Sequence, residues 1–451
     1  MKRLLSAFFL GVLCSVAYPQ QQDVTPTTAL DAYLNNGDRT WAYEVLSSYP
    51  AGNTQAYSLL LVSQKWQGIL WKHELIVFVP KKVAVDGALL FIGGSAVQDN
   101  MPKFAKPDDG TSQAMALIAE KNNAIAGILR QVPNQPLYGN LSEDALISYT
   151  LNEFRRNSDY SLPLLFPMVK SAIRAMDAIQ EFAKETTRTD IKRFVVSGMS
   201  KRGWTTWLTG ASQDPRVVAI VPMVIDMLNM PITLEYQKEL YGGVYSEEIQ
   251  DYVKLGIPQA VASDFGKSIV QMIDPYCYQA KLNMPKMLVM GTNDPYWTLD
   301  AVKHYIDDIP GQNFLSYVPN AEHGLGDRQQ ALNALNAFFG LTVAGKPYPR
   351  CEWTLKEQRG KASIEIQASP DELVSAALWT ADSPTRDFRS SKWTSSEIAL
   401  KTKHLISTTV KYPKKDFSAF YVELVYKDAN GGEYSVTTRP YIADTKHIFV
   451  K

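Results

Sequence analysis

Apolar residues gather into short runs along the first two thirds of the chain, and between the runs they recur at helical spacing. WKHELIVFVP (Trp71–Pro80) alternates and then turns continuously apolar, which predicts a strand. ALLFI (Ala88–Ile92) ends in Gly93-Gly94-Ser95, as a buried strand entering a tight loop would. AIAGIL (Ala124–Leu129) predicts another buried strand. From Leu162 to Phe182, the residues Met168, Ile173, Met176, Ile179 and Phe182 follow a mostly helical period. FVVS (Phe194–Ser197) reads as a strand leading to a helix that starts near Ser200, and VVAIVPMVI (Val217–Ile225) and KMLVM (Lys286–Met290) continue the alternation. Strands alternating with helices predict an α/β fold: a mostly parallel sheet with helices on both faces. The polar, aromatic stretch from Met227 to Leu282 is too long for a simple loop and reads as a helical cap inserted over the strand ends.

Beyond a helix carrying Leu332, Leu335, Phe338 and Phe339, the pattern changes. Gly345-Lys346-Pro347-Tyr348-Pro349 reads as a linker. Strand-like runs follow near Ile364, Trp379, Ile406 and Tyr421, with a hairpin turn at Asn430-Gly431-Gly432. Regular short strands predict a small C-terminal β-sandwich over residues 346–451, after a catalytic-type domain over 18–345. A chain of 451 residues has room for both.

Composition narrows the class. The chain is 45% hydrophobic and 20% charged, which is ordinary for a globular protein. Its 46 basic and 46 acidic residues cancel, which argues against a nucleic-acid partner. Lys2 and Arg3 precede an apolar run from Leu4 to Val16, and Ser15-Val16-Ala17 offers small residues for cleavage. Residues 1–17 therefore read as a signal peptide, and the run is too short to serve as a stable membrane anchor. A secreted or periplasmic protein is expected. Without the signal, only Cys277 and Cys351 remain. Either they pair, as an oxidising compartment would allow, or they are two buried free thiols. No cysteine or histidine cluster suits a metal, and no metal or cofactor is expected.

The chemistry concentrates at Val195-Val196-Ser197-Gly198-Met199-Ser200-Lys201-Arg202-Gly203-Trp204. A strand, a sharp turn bearing a serine, and a helix are what a nucleophile elbow requires. The glycine pattern is irregular, since Arg202 stands where a second glycine is usual and Gly203 comes one residue later. The bland alternative makes Ser200 a helix N-cap only. Downstream, KMLVM ends in the loop Gly291-Thr292-Asn293-Asp294, and a further strand ends at Pro319-Asn320-Ala321-Glu322-His323. Serine, acid and histidine in that order are the α/β-hydrolase arrangement, with His323 as base and Asp294 orienting its ring. Asp226, after the VVAIVPMVI strand, is the alternative acid. Of the other histidines, His73 and His304 lie in places that suit structural roles, and His404 and His447 fall in the C-terminal β domain. The Lys201 N–H is placed to hold a developing oxyanion; Gly94 or Ser95 would supply a second donor, or Gly93-Gly94 simply makes a turn. Trp204, Tyr296 and Trp297 lie near these loops and could line a substrate pocket; core packing is the competing role for Trp204 and for Trp207. Glu247-Glu248 could hold a substrate amine or form a solvated helix face.

The run SGMSKRGWTTWLTGASQDPRVVAIVPMVIDMLNM resembles the signature of the PhoPQ-activated pathogenicity-related proteins, as do WKHELIVFVP, LLFIGGS, GTNDPYW and PNAEH in the same order. The resemblance covers most of the chain after the signal. It implies an α/β-hydrolase-like, secreted protein, and by motif position it supports Ser200, Asp294 and His323. The family includes bacterial proteins tied by name to virulence regulation and amoebal secreted proteins that repress proliferation. Over a few residues, the Ser-Lys-x-Gly elbow is also similar to the Ser-Arg-x-Gly elbow of glucuronoyl esterases, which implies a basic residue helping to hold the oxyanion.

Two functions are carried forward. One is a serine hydrolase that cleaves a carboxylic ester or a peptide amide. The other is a secreted signalling or binding protein on the same scaffold, meeting a cell-surface or carbohydrate partner through its C-terminal domain.

Overall fold

The computed structural model describes residues 23–450; the expected signal peptide lies outside the described residues. α1 (Ala29–Leu34) precedes an antiparallel ribbon of β1 (Ala42–Ala51), β2 (Thr54–Trp66) and β3 (Ile69–Pro80). β4 (Gly87–Ile92) is followed by the small pair β5 (Val97–Gln98) and β6 (Met101–Pro102), then α2 (Gly110–Asn122) and β7 (Ile125–Leu129). α3 (Glu143–Asn157) and α4 (Leu165–Thr186) lead to β8 (Arg193–Met199), α5 (Lys201–Ala211) and β9 (Val217–Met223). The segment between β9 and β10 (Lys286–Gly291) is helical, with α6 (Met230–Leu240), α7 (Gln250–Val253) and α8 (Asp264–Ile273). β11 (Asn313–Val318) and α9 (Gln329–Ala344) close this part of the chain.

The central strands run in the order β3-β7-β4-β8-β9-β10-β11, parallel from β7 to β11. This is the strand arrangement of an α/β-hydrolase core. Successive side chains of a strand point to opposite faces, and both faces here are apolar. Ala88, Leu90 and Ile92 of β4 join the core beneath α4 and α5, whereas Leu89 and Phe91 join the core beneath α2 and α9. Each fully buried Leu, Val or Ile in these layers contributes about 1.5–3 kcal/mol.

The C-terminal strands are β12 (Cys351–Gln358), β13 (Lys361–Ala368), β14 (Leu373–Ser383), β15 (Thr394–Glu397), β16 (Leu405–Lys411), β17 (Phe417–Lys427), β18 (Glu433–Thr437) and β19 (Tyr441–Ala443). Across the boundary at residue 346 the hydrogen bonding is continuous. β18 pairs antiparallel with β11 through Leu315 and Thr437, and β17, β14 and β15 follow it outward. The resulting sheet has 14 strands and is mixed, which corrects the expectation of a mostly parallel one. Only its centre is parallel, because β1–β3 and the C-terminal strands add antiparallel flanks. β12, β13 and β16 form a second sheet, and their Ile364, Ile366, Ile406 and Val410 share an apolar cluster with Phe420, Val422 and Leu424 of β17.

Cys277 and Cys351 are both free, Cys277 exposed and Cys351 half-buried, so neither alternative for them, a pair or two buried thiols, describes the structure. No helix among the described residues is long and apolar enough to cross a membrane.

Candidate active site

Ser200 sits between β8 and α5 with φ 58° and ψ −127°. That conformation costs a non-glycine residue of order 1–3 kcal/mol. It is held by the Ser200 N–H donating to Met223 O at 2.9 Å and by the Trp204 N–H donating to Ser200 O at 2.9 Å. The irregular glycine spacing has a physical reason. A Cβ on Gly203 would stand 2.7 Å from Met223 O, so α5 can lie against the end of β9 only if position 203 is bare. Position 202 points elsewhere and can carry an arginine.

The structure brings Ser200, His323 and Asp294 together from three loops at one edge of the sheet. Ser200 Oγ lies 2.8 Å from His323 Nε2, and His323 Nδ1 lies 2.8 Å from Asp294 Oδ2. A carboxylate can only accept, so Nδ1 carries the proton and the Nε2 lone pair faces the serine hydroxyl. The other Asp294 oxygen accepts from the Tyr296 N–H at 2.9 Å. The Tyr296 ring stacks on the imidazole, with centroids 4.1 Å apart, and covers one face of it.

The alternative acid is not brought to the histidine. Asp226 is buried and accepts a hydrogen bond from Tyr305 Oη at 2.6 Å. Burial, with the charges of Asp294 and Asp300 adding to it, pushes its carboxyl up to about 8. Gly94 and Ser95 leave β4 beside the elbow, since Ile92 pairs with Gly198 two residues before Gly94 and Ser200 respectively. The Lys201 N–H opens α5 and has no acceptor within the helix.

A charge cluster that sequence reasoning missed lies against this elbow. Arg202 donates from both Nη atoms to Glu143 at 2.7 Å and from Nε to Val132 O at 2.5 Å. Its guanidinium lies where a Cβ on Gly94 would fall, 2.5 Å from Nη2, so the arginine packs directly beneath the Gly93–Ser95 turn. The Lys201 ammonium is 3.0 Å from Glu143 and 3.0 Å from Asp144. The departure at position 202 was the only sequence signal of this cluster. Burial works to raise the Glu143 carboxyl, but the Arg202 hydrogen bonds and the Arg202 and Lys201 charges outweigh it and hold it at about 2. A lowered carboxyl favours the fold above the unfolded value, and that contribution disappears as pH falls through the folded value. Thermal melts should therefore show stability falling between about pH 4.5 and about pH 2. Glu143→Gln should flatten the part of that fall due to this residue; an unchanged profile would count against the assignment.

The acid and histidine loops are gripped by a C-terminal segment, another feature missed in the sequence. Asn293 Nδ2 donates to Ser391 O at 2.7 Å and to Arg389 O at 3.1 Å. Asn320 donates to Trp393 O at 3.0 Å and accepts from the Trp393 N–H at 2.7 Å. Thr292 Oγ1 joins the two loops, donating to Asn293 Oδ1 at 2.7 Å and accepting from the Asn320 N–H at 2.9 Å. The same segment reaches the cap, where Arg389 lies 3.7 Å over the Tyr241 ring.

Beside Ser200 a cavity of about 80 Å³ opens between the elbow and the cap. Trp204, Tyr296 and Trp297 all line it. Trp204 also packs as core, its indole N–H donating to Ile273 O at 2.6 Å, and Trp207 is wholly buried away from the site. Glu247 and Glu248 are exposed and do not line the cavity. His73 is a buried core residue 2.9 Å from Ser63 Oγ and 2.9 Å from Arg130 O, and burial pushes its imidazole down to about 4. His304 stacks edge-on against Tyr236.

Residues 30–389 match the family described as PhoPQ-activated pathogenicity-related protein. Autocrine proliferation repressor protein A of Dictyostelium discoideum is 28% identical over 472 aligned residues, spanning 97% of this chain and 92% of the relative. Among solved structures, acetyl xylan esterase 1 from Thermoanaerobacterium sp. JW/SL YS485 is similar over 70% of this chain and 93% of that one, with 15% identity and a TM-score of 0.49. An acetyl xylan esterase from Paenibacillus sp. R4 is similar over 70% and 96%, with 13% identity and a TM-score of 0.48.

Proposed function

The chain belongs to the PhoPQ-activated pathogenicity-related protein family, and from that premise we propose that it is a serine hydrolase acting on carboxylic esters. The observation that carries the reading is the 2.8 Å contact of Ser200 Oγ with His323 Nε2 on a strained strand-to-helix turn, with Asp294 behind the ring.

The chemistry follows from the geometry. His323 takes the Ser200 proton as Oγ bonds to the ester carbonyl carbon, and Asp294 stabilises the imidazolium that forms. The carbonyl oxygen gathers negative charge in reach of the Lys201 N–H and of an N–H from the Gly94–Ser95 turn, at the positive end of α5. As the C–O bond breaks, His323 returns its proton to the departing alcohol. Water then enters and gives a proton to His323 as its oxygen bonds to the acyl carbon; His323 returns that proton to Oγ as the Oγ–acyl bond breaks and the acid leaves. The Lys201 side chain is an ion-pair partner of Glu143 and Asp144, so its backbone rather than its ammonium serves the oxyanion. The apolar start of the chain, residues 4–16, supports reading the protein as exported.

A fluorophosphonate probe should label the protein at Ser200, and Ser200→Ala should abolish labelling. Labelling that persists in the variant would sink the assignment. The name of the Dictyostelium relative favours a second reading, a proliferation-regulating protein that needs no turnover. A growth assay with wild-type and Ser200→Ala protein separates the two: an equal effect from both supports the second.

A further inference from the structure

We propose that the group bound beside Ser200 is uncharged, apolar and short, so that the substrate class is neutral esters of small aliphatic acids or alcohols. This rests on the hydrolase reading above and adds specificity to it.

The cavity wall is almost entirely hydrocarbon. Leu151 of α3, Met227, Leu234 of α6 and Ile269 of α8 line it together with Trp204 and Trp297. Among the described residues, two charged side chains reach the lining, Lys201 and Asp144, and both are already committed. Lys201 is paired with Glu143 and Asp144, both at 3.0 Å. Asp144 uses one oxygen for Lys201 and the other to accept from Tyr252 Oη at 3.0 Å. Arg202 is taken up by Glu143 in turn. Two cations and two anions thus cancel within the cluster, and no charge is left over to meet one on a substrate. A carboxylate or ammonium entering this space would lose its water and gain no partner, which is heavily unfavourable. The acidic pair that might have held a substrate amine, Glu247-Glu248, lies outside the cavity and in solvent.

Size sets the second limit. An apolar cavity of roughly 150 Å³ holds a benzene ring. The space here is about 80 Å³, which suits a group of roughly three or four carbons. Long acyl chains exceed that space.

The test compares p-nitrophenyl acetate, butyrate, octanoate and monosuccinate on the full protein, with an amino-acid p-nitrophenyl ester as the cationic member. Butyrate should have the highest kcat/KM, at least a hundredfold above both charged esters, with octanoate falling below it. Leu234→Phe and Val261→Phe, which narrow the cavity from half-buried cap positions, should move the optimum toward acetate by tenfold or more. Binding is read separately in Ser200→Ala protein, where quenching of Trp204 and Trp297 fluorescence by the same esters needs no turnover. There butyrate should saturate at lower concentration than the monosuccinate or the cationic ester. Equal or tighter binding of a charged ester, or failure of butyrate to bind, would overturn the proposal whether or not the protein is a hydrolase. Loss of fluorophosphonate labelling with butyrate binding intact would remove the hydrolase reading and leave the pocket's selectivity standing.

Discussion

Asp294→Asn is expected to lower kcat for p-nitrophenyl butyrate by about ten-thousand-fold, while Asp226→Asn changes it by less than about tenfold. The contrast follows from what each carboxyl touches. Asp294 Oδ2 is 2.8 Å from His323 Nδ1, and its other oxygen is occupied by the Tyr296 N–H. An amide at that place can turn its NH₂ toward Nδ1, which selects the tautomer whose Nε2 already carries a proton and cannot accept one from Ser200. Asp226 makes no such contact. Its partner is Tyr305 Oη, and burial pushes its carboxyl up to about 8, which favours the neutral form that an amide would mimic. Steady-state rates of the two variants decide the matter. A larger loss from Asp226→Asn would reassign the acid.

Asn320→Ala and Asn293→Ala should each lower kcat by about a hundredfold with KM within about threefold of wild type. Neither residue lines the cavity beside Ser200; both hold the loops that carry the acid and the histidine. Removing Asn320 frees the Trp393 N–H and carbonyl, and removing Asn293 frees the carbonyls of Arg389 and Ser391. Each buried polar group so stranded costs about 1–3 kcal/mol, and the loops shift to recover what they can. A displacement of about 1 Å at the imidazole is enough for a hundredfold loss. The low-field proton resonance of the His323–Asp294 hydrogen bond provides an independent readout. It should weaken in both variants at temperatures where circular dichroism shows them folded. Lower thermal stability with kcat and that resonance unchanged would make the asparagines structural only.

The centre of the fold was readable from periodicity because β4, β7, β8, β9 and β10 are short, buried on both faces and separated by helices. Their apolar runs, with that of β11, put the loops carrying Ser200, Asp294 and His323 at the C-terminal ends of strands. The C-terminal strands were also readable as strands. Their attachment was not: alternation reports which face of a strand is apolar and says nothing about which edge it joins. The pairing of Leu315 with Thr437, over a hundred residues apart in sequence, left no local mark.

The same division runs through the site. A strand, a serine on a sharp turn, and later acid and histidine loops are local patterns in a set order, and the sequence by itself determined them. Which acid meets the imidazole, which turn Arg202 supports, and which carboxylates take up the cations near the elbow follow from the tertiary structure alone. The reason is physical: those outcomes depend on distances of about 3 Å between segments far apart in the chain, and hydrogen bonds and ion pairs of that range have no sequence period.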